Sequence, residues 1–279
     1  MQYAPVIDRH LRTIEKAPID ELIRAFGSPL FIIVERIVRK KYALFADAIR
    51  PRCPGAVIAY SVKTNHLPKI LAIMQTLDCH AEVTSGFEYR LARRSGFAGP
   101  EIVFNGPDKK DDELREAFRD GAILNIDNWE EIKRAAHIAG QLGSPRAIGL
   151  RVHYGDDRAS WTRFGFNINN DEAIHVTQTI QGEYPELVVS GFHIHVGTDV
   201  LNLELYKKAS EDICKLVCGM PKTAIQQLKF INFGGGFAVP GTSERGEPIR
   251  AIPDIADYIQ QIANILDQKY PGPAPQLFF

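Results

Sequence analysis

The sequence has few cysteines, no long apolar run and no excess of either charge. Its 33 Lys and Arg residues oppose 34 Asp and Glu residues, which gives a net charge of −1. Such a balance does not predict the basic face of a nucleic-acid-binding protein. No stretch reaches the roughly 18 apolar residues of a membrane-spanning helix, and the charged N-terminus does not resemble a signal peptide. We therefore expect a cytoplasmic protein with no nucleic-acid partner and no membrane partner.

The four cysteines are too few and too scattered for a disulfide framework. They are Cys53, Cys79, Cys214 and Cys218. The last two lie four positions apart in a predicted helix and could face one direction. A metal site would need two further ligands, which the spacing does not suggest. We expect free buried thiols and no metal.

Short apolar runs alternate with amphipathic stretches, which is the sequence pattern of repeated βα units. Strands are predicted at 57–63, 80–83, 102–105, 122–127, 147–153, 188–196 and 230–234. Helices are predicted at 66–76, 86–94, 111–119, 128–141, 171–181, 202–218 and 254–268. An eighth strand begins at Leu277, and about 250 residues suffice for one (β/α)8 barrel. The repeat count and the lack of a first-turn glycine fingerprint favour this barrel over a doubly wound open sheet.

The predicted domain organisation is a lead-in segment followed by one barrel. Residues 1–50 form the lead-in, extended at 28–33 and helical at 34–49, and residues 51–279 form the barrel. The polar stretch 237–250, rich in Gly and Pro, is predicted to be a loop on the ligand-binding side. Since the eighth strand ends the chain without a cap and would leave an open edge, we expect a fragment, a barrel truncated at strand 8.

Lys63, in the segment YSVKTN, is the first candidate for chemistry. A lysine at a strand end is commonly a surface residue whose stem packs on apolar neighbours. Here a buried strand precedes the lysine and a helix follows it, so its amine should point into the barrel mouth. An amine there can form a Schiff base with an aldehyde cofactor.

His193 and His195, in the segment GFHIHVGT, lie on one face of the sixth predicted strand. Three interpretations stay open at this point. Both histidines could be hydrogen-bonded core residues, or both could bind a metal, as in a barrel hydrolase. Alternatively, one ring could stack on a planar cofactor while Thr198 meets its phosphate.

Gly234, Gly235 and Gly236 follow the seventh predicted strand. Consecutive glycines let backbone amides approach an anion closely, and loops at this end of a barrel often bind phosphate. The run lacks the spacing of a dinucleotide fingerprint, and alone it could be a flexible turn. Together, the amine, the imidazole and the glycine run are the parts that a phosphorylated pyridine aldehyde requires.

At this point the sequence resembles the fold-type III pyridoxal-phosphate decarboxylases, the group of the diaminopimelate, ornithine and arginine decarboxylases. The similar segments run in order along essentially the whole chain: YSVKTN, AEVTSGFEY, IVFNGPDKKDDELREAFRDGA, NIDNWEEI, LRVH, TRFGF, GFHIHVGT and FINFGGGF. The resemblance implies an α/β fold, a TIM-like (β/α)8 barrel of the alanine racemase/decarboxylase type, with pyridoxal 5′-phosphate as cofactor.

The resemblance also implies a role for each matched residue. Lys63 would be the Schiff-base lysine and His195 would stack on the cofactor ring, with His193 as a supporting core residue. The other implied cofactor-binding residues are Glu82 (usually Asp in the family), Arg151, Thr198, Gly234, Gly235 and Gly236. Ser85 and Glu88 match the same second-strand segment without a clear role.

The implied activity is decarboxylation of an amino acid, with diaminopimelate as first substrate because SPLFIIVERIVRKKY resembles members of that type. Two parts of the family pattern are missing, a Glu-Pro-Gly-Arg segment after strand eight and a C-terminal β-domain. The resemblance implies a homodimer in the full-length form, and because of the missing parts we expect impaired activity of this chain alone. The alternatives are a metal-dependent hydrolase using His193 and His195, a non-catalytic remnant that binds the cofactor or a partner, and a racemase, which the HIHVGT and GGGF segments fit less well.

Overall fold

Eight parallel strands form the centre of the protein in a computed structural model. It describes residues 11–154, 163–239, 241–242, 248–249 and 251–279, with the pairs 241–242 and 248–249 described by their backbone only. The strands, labelled β1 to β8 in chain order, are Ala59–Ser61, His80–Val83, Ile102–Phe104, Ile123–Ile126, Arg146–His153, Leu187–Ile194, Phe230–Asn232 and Gln276–Phe278. Each strand pairs in parallel with the next one along the chain. The predicted α/β barrel is confirmed.

The barrel is closed by hydrogen bonds between its first and last strands. The N–H of Val57 donates to the carbonyl of Leu277 at 2.8 Å, and the N–H of Phe279 donates to the carbonyl of Val57 at 3.0 Å. The N–H of Ala59 donates to the carbonyl of Phe279 at 2.8 Å. The expected open edge at strand 8 was therefore wrong, because Leu277 and Phe279 hydrogen-bond to Val57, just before β1, and to Ala59, its first residue.

Helices alternate with the strands. Labelled α1 to α10, they are Ile19–Phe26, Glu35–Ile49, Pro68–Gln75, Gly86–Arg94, Asp111–Asp120, Trp129–Gln141, Glu172–Glu183, Leu203–Cys218, Lys222–Ile225 and Ile255–Lys269. The predicted helices agree with these bounds to within about two residues, and the eight-residue α1 and the four-residue α9 were missed. In the part of the chain that the structure describes, no helix is both long and apolar enough to cross a membrane.

Several short elements were not predicted. In the lead-in segment, α1 follows a two-stranded antiparallel hairpin of Thr13–Ile14 and Ala17–Pro18. Another antiparallel pair, Gly241–Thr242 with Pro248–Ile249, lies within the stretch expected to be a loop. The strand Phe166–Asn167 pairs with the end of β5. These elements are two residues long, too short to show a periodic apolar pattern.

Side chains at the helix starts hold the turns between strands and helices. At the start of α4, the hydroxyl of Ser85 accepts the N–H of Glu88 at 3.3 Å, and the carboxylate of Glu88 accepts the N–H of Thr84 at 2.8 Å. At the start of α6, the side chain of Asn128 accepts the N–H of Glu131 at 2.9 Å. Such caps satisfy donors that a helix leaves free. In this chain Ser85 and Glu88 therefore form a helix cap.

An aromatic plug fills the amino-terminal part of the barrel. Phe230 of β7 packs with Phe278 of β8 at a ring distance of 5.6 Å and contacts Val103 of β3. A Cβ atom added to Gly191 would lie 2.6 Å from the Phe230 ring, and one added to Gly149 would lie 2.8 Å from it. Glycine on β5 and β6 thus makes the room that Phe230 fills.

We predict that Gly191→Ala destabilises the fold by about 1–3 kcal/mol, because the new methyl group overpacks the plug. Urea denaturation followed by circular dichroism measures this change. The control is Gly182→Ala in α7, where an added Cβ meets nothing within 4 Å. We expect that control to be neutral or up to about 1 kcal/mol more stable. Equal stability of the two variants would contradict the proposed packing.

Candidate functional site

Lys63 lies just beyond the end of β1. The strand stops at Ser61, and Val62–Thr64 form one turn of 3₁₀ helix. The prediction that the strand continues through Lys63 was wrong, because the hydroxyl of Thr64 donates to the carbonyl of Ser61 at 2.7 Å and closes the turn. The Lys63 side chain is exposed at the carboxyl end of the barrel.

The two histidines lie at the carboxyl end of β6. His193 is aligned with Arg151 on β5 and with Asn232 on β7. His195 comes directly after Ile194, the last residue of the strand. His193 is buried, whereas His195 is partly exposed. The structure thus gives the inner position to His193 and the accessible one to His195.

The three glycines after β7 form a turn against His195. Gly234 and Gly236 have φ angles of +63° and +98°, which side chains other than glycine rarely adopt. A Cβ added to Gly234 would lie 3.1 Å from Nδ1 of His195, and one added to Gly236 would lie 1.9 Å from the carbonyl oxygen of Gly197. At Gly235, a Cβ would meet nothing within 4 Å. The turn is closed on one side by His195 and open at Gly235.

Asn232 holds this turn and was missed in the sequence analysis. Its Oδ1 accepts the N–H of Gly234 at 2.7 Å, and Asn232 is aligned with His193 on the neighbouring strand. Among the described residues, the N–H groups of Gly235 and Gly236 have no acceptor in the protein. An asparagine directly before a glycine run at a strand end is a signal that could have been used.

Thr198 lies on a segment that runs beside the glycine turn. The carbonyl oxygen of Gly197 lies where a side chain of Gly236 would begin. The N–H of Val200 donates to the carbonyl of Gly236 at 2.9 Å. Thr198 is exposed between these two contacts. The structure therefore places this predicted residue next to the glycine turn.

Arg151 is held by an acidic partner that the sequence analysis missed. Its Nη1 lies 3.2 Å from Oδ1 of Asp127, the residue after β4, and both side chains are largely buried. Its guanidinium also lies 4.6 Å from the ring centre of Phe164. Burial lowers the pKa of Arg151, and the charge of Asp127 opposes that effect. The arginine is thus a fixed positive charge at the end of β5.

Glu82 lies on β2 beside the strand that leads to Lys63. Its Oε2 accepts the hydroxyl of Ser61 at 2.6 Å, and its Oε1 accepts Nδ2–H of Asn105 at 3.0 Å. Its negative charge also acts on Arg151. Both carboxylate oxygens have donors, which fixes the orientation of this predicted acidic residue.

The positive charge of Lys63 affects the pKa of both His193 and His195. Burial, together with the positive charges of Lys63 and Arg151, lowers the pKa of His195 to about 4. The pKa of His193 is also lowered, by burial first and then by Arg151, with Lys63 contributing. Both rings are therefore neutral at pH 7. Lys63, His195 and the glycine turn each follow the carboxyl end of a strand, and in a parallel barrel these ends lie at one mouth.

A metal site at the histidines gains no support from the geometry. Within the described residues, no group of three His, Cys, Asp or Glu side chains could hold a metal ion. Cys214 is buried in α8 and Cys218 is exposed at its end. The hydrolase alternative would need a third ligand near His193 and His195.

The family comparison matches most of the chain. Residues 35–279 match the model of the family described as "Pyridoxal-dependent decarboxylase, pyridoxal binding domain". That range contains every one of the predicted site residues.

Curated relatives and solved structures agree with this match. The diaminopimelate decarboxylase of Aquifex aeolicus is 28% identical over 89% of this chain and 59% of its own length, and that of Bacillus subtilis is 26% identical over 86% and 56%. In fold, the chain resembles the diaminopimelate decarboxylase of M. jannaschii in complex with L-lysine (TM-score 0.82, 22% identity, 95% of this chain and 63% of that one). It also resembles the Vibrio vulnificus lysine/ornithine decarboxylase in complex with cadaverine (TM-score 0.74, 19% identity, 93% and 63%). The chain thus spans about 60% of the length of the first relatives it matches.

We predict that His195 titrates with a pKa of about 4 instead of its ordinary 6.5, measured from its imidazole proton signals by NMR. Because the folded pKa lies below the unfolded one, the stability from this group is present above pH 6.5 and is lost as the pH falls towards 4. Lys63→Met should raise the pKa of His195, whereas Lys133→Met on the surface of α6 should not. An ordinary pKa in the unaltered protein would contradict the site geometry.

Proposed function

Since the chain belongs to the pyridoxal-dependent decarboxylase family, we propose that it holds pyridoxal 5′-phosphate on Lys63 and serves the decarboxylation of an amino acid. One observation carries this proposal: a Cβ atom added to Gly234 would lie 3.1 Å from Nδ1 of His195, and the charge of Lys63 lowers the pKa of the same imidazole. An amine, a neutral flat ring and an open glycine turn therefore share one mouth. Each of the three suits a different part of a phosphorylated pyridine aldehyde.

The glycine turn fits a phosphate group. The N–H groups of Gly235 and Gly236 lack acceptors among the described residues, and no atom lies within 4 Å of the place where a Gly235 side chain would begin. Backbone amides with positive-φ glycines between them form concave anion sites. Thr198, exposed on the neighbouring segment, could add a hydroxyl donor. We therefore assign Gly234, Gly235, Gly236 and Thr198 to the phosphate.

The other side chains of the mouth prepare the site for a charged substrate. When bound, pyridoxal phosphate supplies an electron sink for the bond between the substrate's α-carbon and its carboxylate. Lys63 provides the amine that holds the cofactor, and its exposure lets a substrate amine reach it. His195, being neutral, can lie against a flat aromatic ring without adding charge. Glu82 and Arg151 keep fixed charges of opposite sign beside these groups.

The proposed substrate is diaminopimelate. It rests on the names of the matched relatives, several of which are diaminopimelate decarboxylases. Lysine and ornithine are the first comparison substrates, since a lysine/ornithine decarboxylase shares the fold. The homodimer and the cytoplasmic location stay predictions.

We predict that borohydride reduction in the presence of pyridoxal phosphate labels Lys63. Peptide mapping by mass spectrometry locates the label, and Lys63→Ala should remove it. Lys69→Ala is the matched control, since Lys69 is an exposed lysine at the start of the next helix, and it should keep the label. Release of labelled CO2 from carboxyl-labelled diaminopimelate, lysine and ornithine then tests the reaction itself.

Two results would count against the proposal. A label on another lysine would remove the assignment of Lys63. We propose that this chain alone has impaired activity, so slow CO2 release is the expected result. A label on Lys63 with no CO2 release at all from any of the three amino acids would favour a non-catalytic protein that binds the cofactor.

A further inference from the structure

Lys109 and Glu131 form an ion pair inside the protein that the proposed reaction does not use. Nζ of Lys109 lies 2.8 Å from Oε1 of Glu131, and both side chains are 0% exposed. Burial lowers the pKa of Lys109 and raises that of Glu131, while each partner opposes the shift of the other. Removing two charges from water is unfavourable, and a buried pair is rarely more stabilising than apolar side chains of the same size. Stability alone therefore does not explain why these two charged side chains are buried.

All three N–H groups of Lys109 are committed within the protein. Besides Glu131, they donate to the carbonyl of Gly106 at 2.8 Å and to the carbonyl of Asn125 at 2.7 Å. Lys109 therefore connects the loop after β3, strand β4 and helix α6. It has no donor left for a ligand.

One hydrogen-bonded arm leads from this ion pair to the arginine of the mouth. Oε2 of Glu131 accepts the N–H of Asp127 at 2.8 Å. The carboxylate of Asp127 in turn holds Arg151 at 3.2 Å. The position of Arg151 thus depends on the same glutamate that neutralises Lys109.

A second arm leads to the acidic residue beside the lysine strand. The carbonyl of Asn125 is fixed by Lys109, and its Nδ2 donates to Oδ1 of Asn105 at 2.7 Å. Nδ2 of Asn105 donates to Glu82, which also accepts the hydroxyl of Ser61. A carboxylate can only accept hydrogen bonds, so Glu82 orients the NH2 group of Asn105 towards itself. The Oδ1 of Asn105 then faces Asn125 and accepts its NH2 group in the same way. Asn125 Oδ1 is then left without a partner among the described residues.

Resting on the function proposed above, we propose that Lys109 and Glu131 are positioning residues of the cofactor site. Their ion pair fixes Asp127 with Arg151 through one arm and Asn105 with Glu82 through the other. The two arms end on opposite charges of the same mouth. An apolar pair could fill the same space but could not hold either arm.

The test compares the unaltered protein with Lys109→Met/Glu131→Leu, in which the buried charges are replaced by apolar side chains of similar size. Thermal unfolding reports stability, and titration of the visible absorbance gives the Kd of pyridoxal phosphate. We expect some loss of thermal stability, because the carbonyls of Gly106 and Asn125 and the N–H of Asp127 lose their partners. In the folded variant, the Kd of pyridoxal phosphate should weaken roughly tenfold, as after the loss of supporting residues around metal sites. Unchanged Kd would overturn the proposal.

Two further variants keep the test decisive. Asn105→Leu cuts only the second arm, so it tests the proposal even if the double variant does not fold, and its Kd should also rise. Lys269→Met/Glu211→Leu removes an ion pair of 2.8 Å between α8 and α10 on the surface. That control should leave the Kd unchanged, and an increase there as large as in the other variants would also overturn the proposal.

A second readout needs no cofactor. The side-chain N–H signals of Arg151, identified by their loss in Arg151→Lys, report its ion pair by NMR. They should shift or broaden in Lys109→Met/Glu131→Leu and stay unchanged in the surface control. If the unaltered protein gives no borohydride label on Lys63, the proposed function fails. The Arg151 signals then still decide whether Lys109 and Glu131 hold Asp127 and Arg151 in place.

Discussion

The hydrogen bonds between β1 and β8 are the constraint on which the site depends. They close eight parallel strands into a barrel, and in a closed parallel barrel all carboxyl ends meet at one mouth. Lys63 and His195 are 132 positions apart in the sequence, and closure brings the amine near the imidazole. Without it, the glycine turn after β7 and the lysine turn after β1 would lie at opposite edges of an open sheet.

Inside the closed barrel, polarity changes from one end to the other. The aromatic plug around Phe230 is buried, and glycines on β5 and β6 make room for it. Above the plug, Glu82 and Asn105 form a hydrogen-bonded layer. At the mouth, Lys63 and Arg151 bring positive charge near imidazoles that burial keeps neutral. A mouth with acceptors, donors and both signs of charge can bind a cofactor that carries a phosphate and a polar ring.

Much of this could be predicted from residues alone, and the failures have local causes. The strands were predicted because parallel strands covered by helices are apolar on both faces. The turn at Lys63 was missed because one hydroxyl bond from Thr64 ends the strand earlier than the apolar pattern does. Asp127, Asn105 and Asn232 were missed because a single polar residue near a strand end has many possible partners. Their partners lie on other strands and have no fixed spacing in the sequence.

The sequence by itself determined the fold class, the order of the βα units and the candidates Lys63, His195 and Gly234–Gly236. It could do so because periodicity and residue chemistry are local properties. Only the tertiary structure decided that β8 is paired on both sides, that His193 is buried while His195 is accessible, and that Lys109 and Glu131 support both charged arms. Those facts depend on contacts between strands far apart in the chain, and burial and charge act through space.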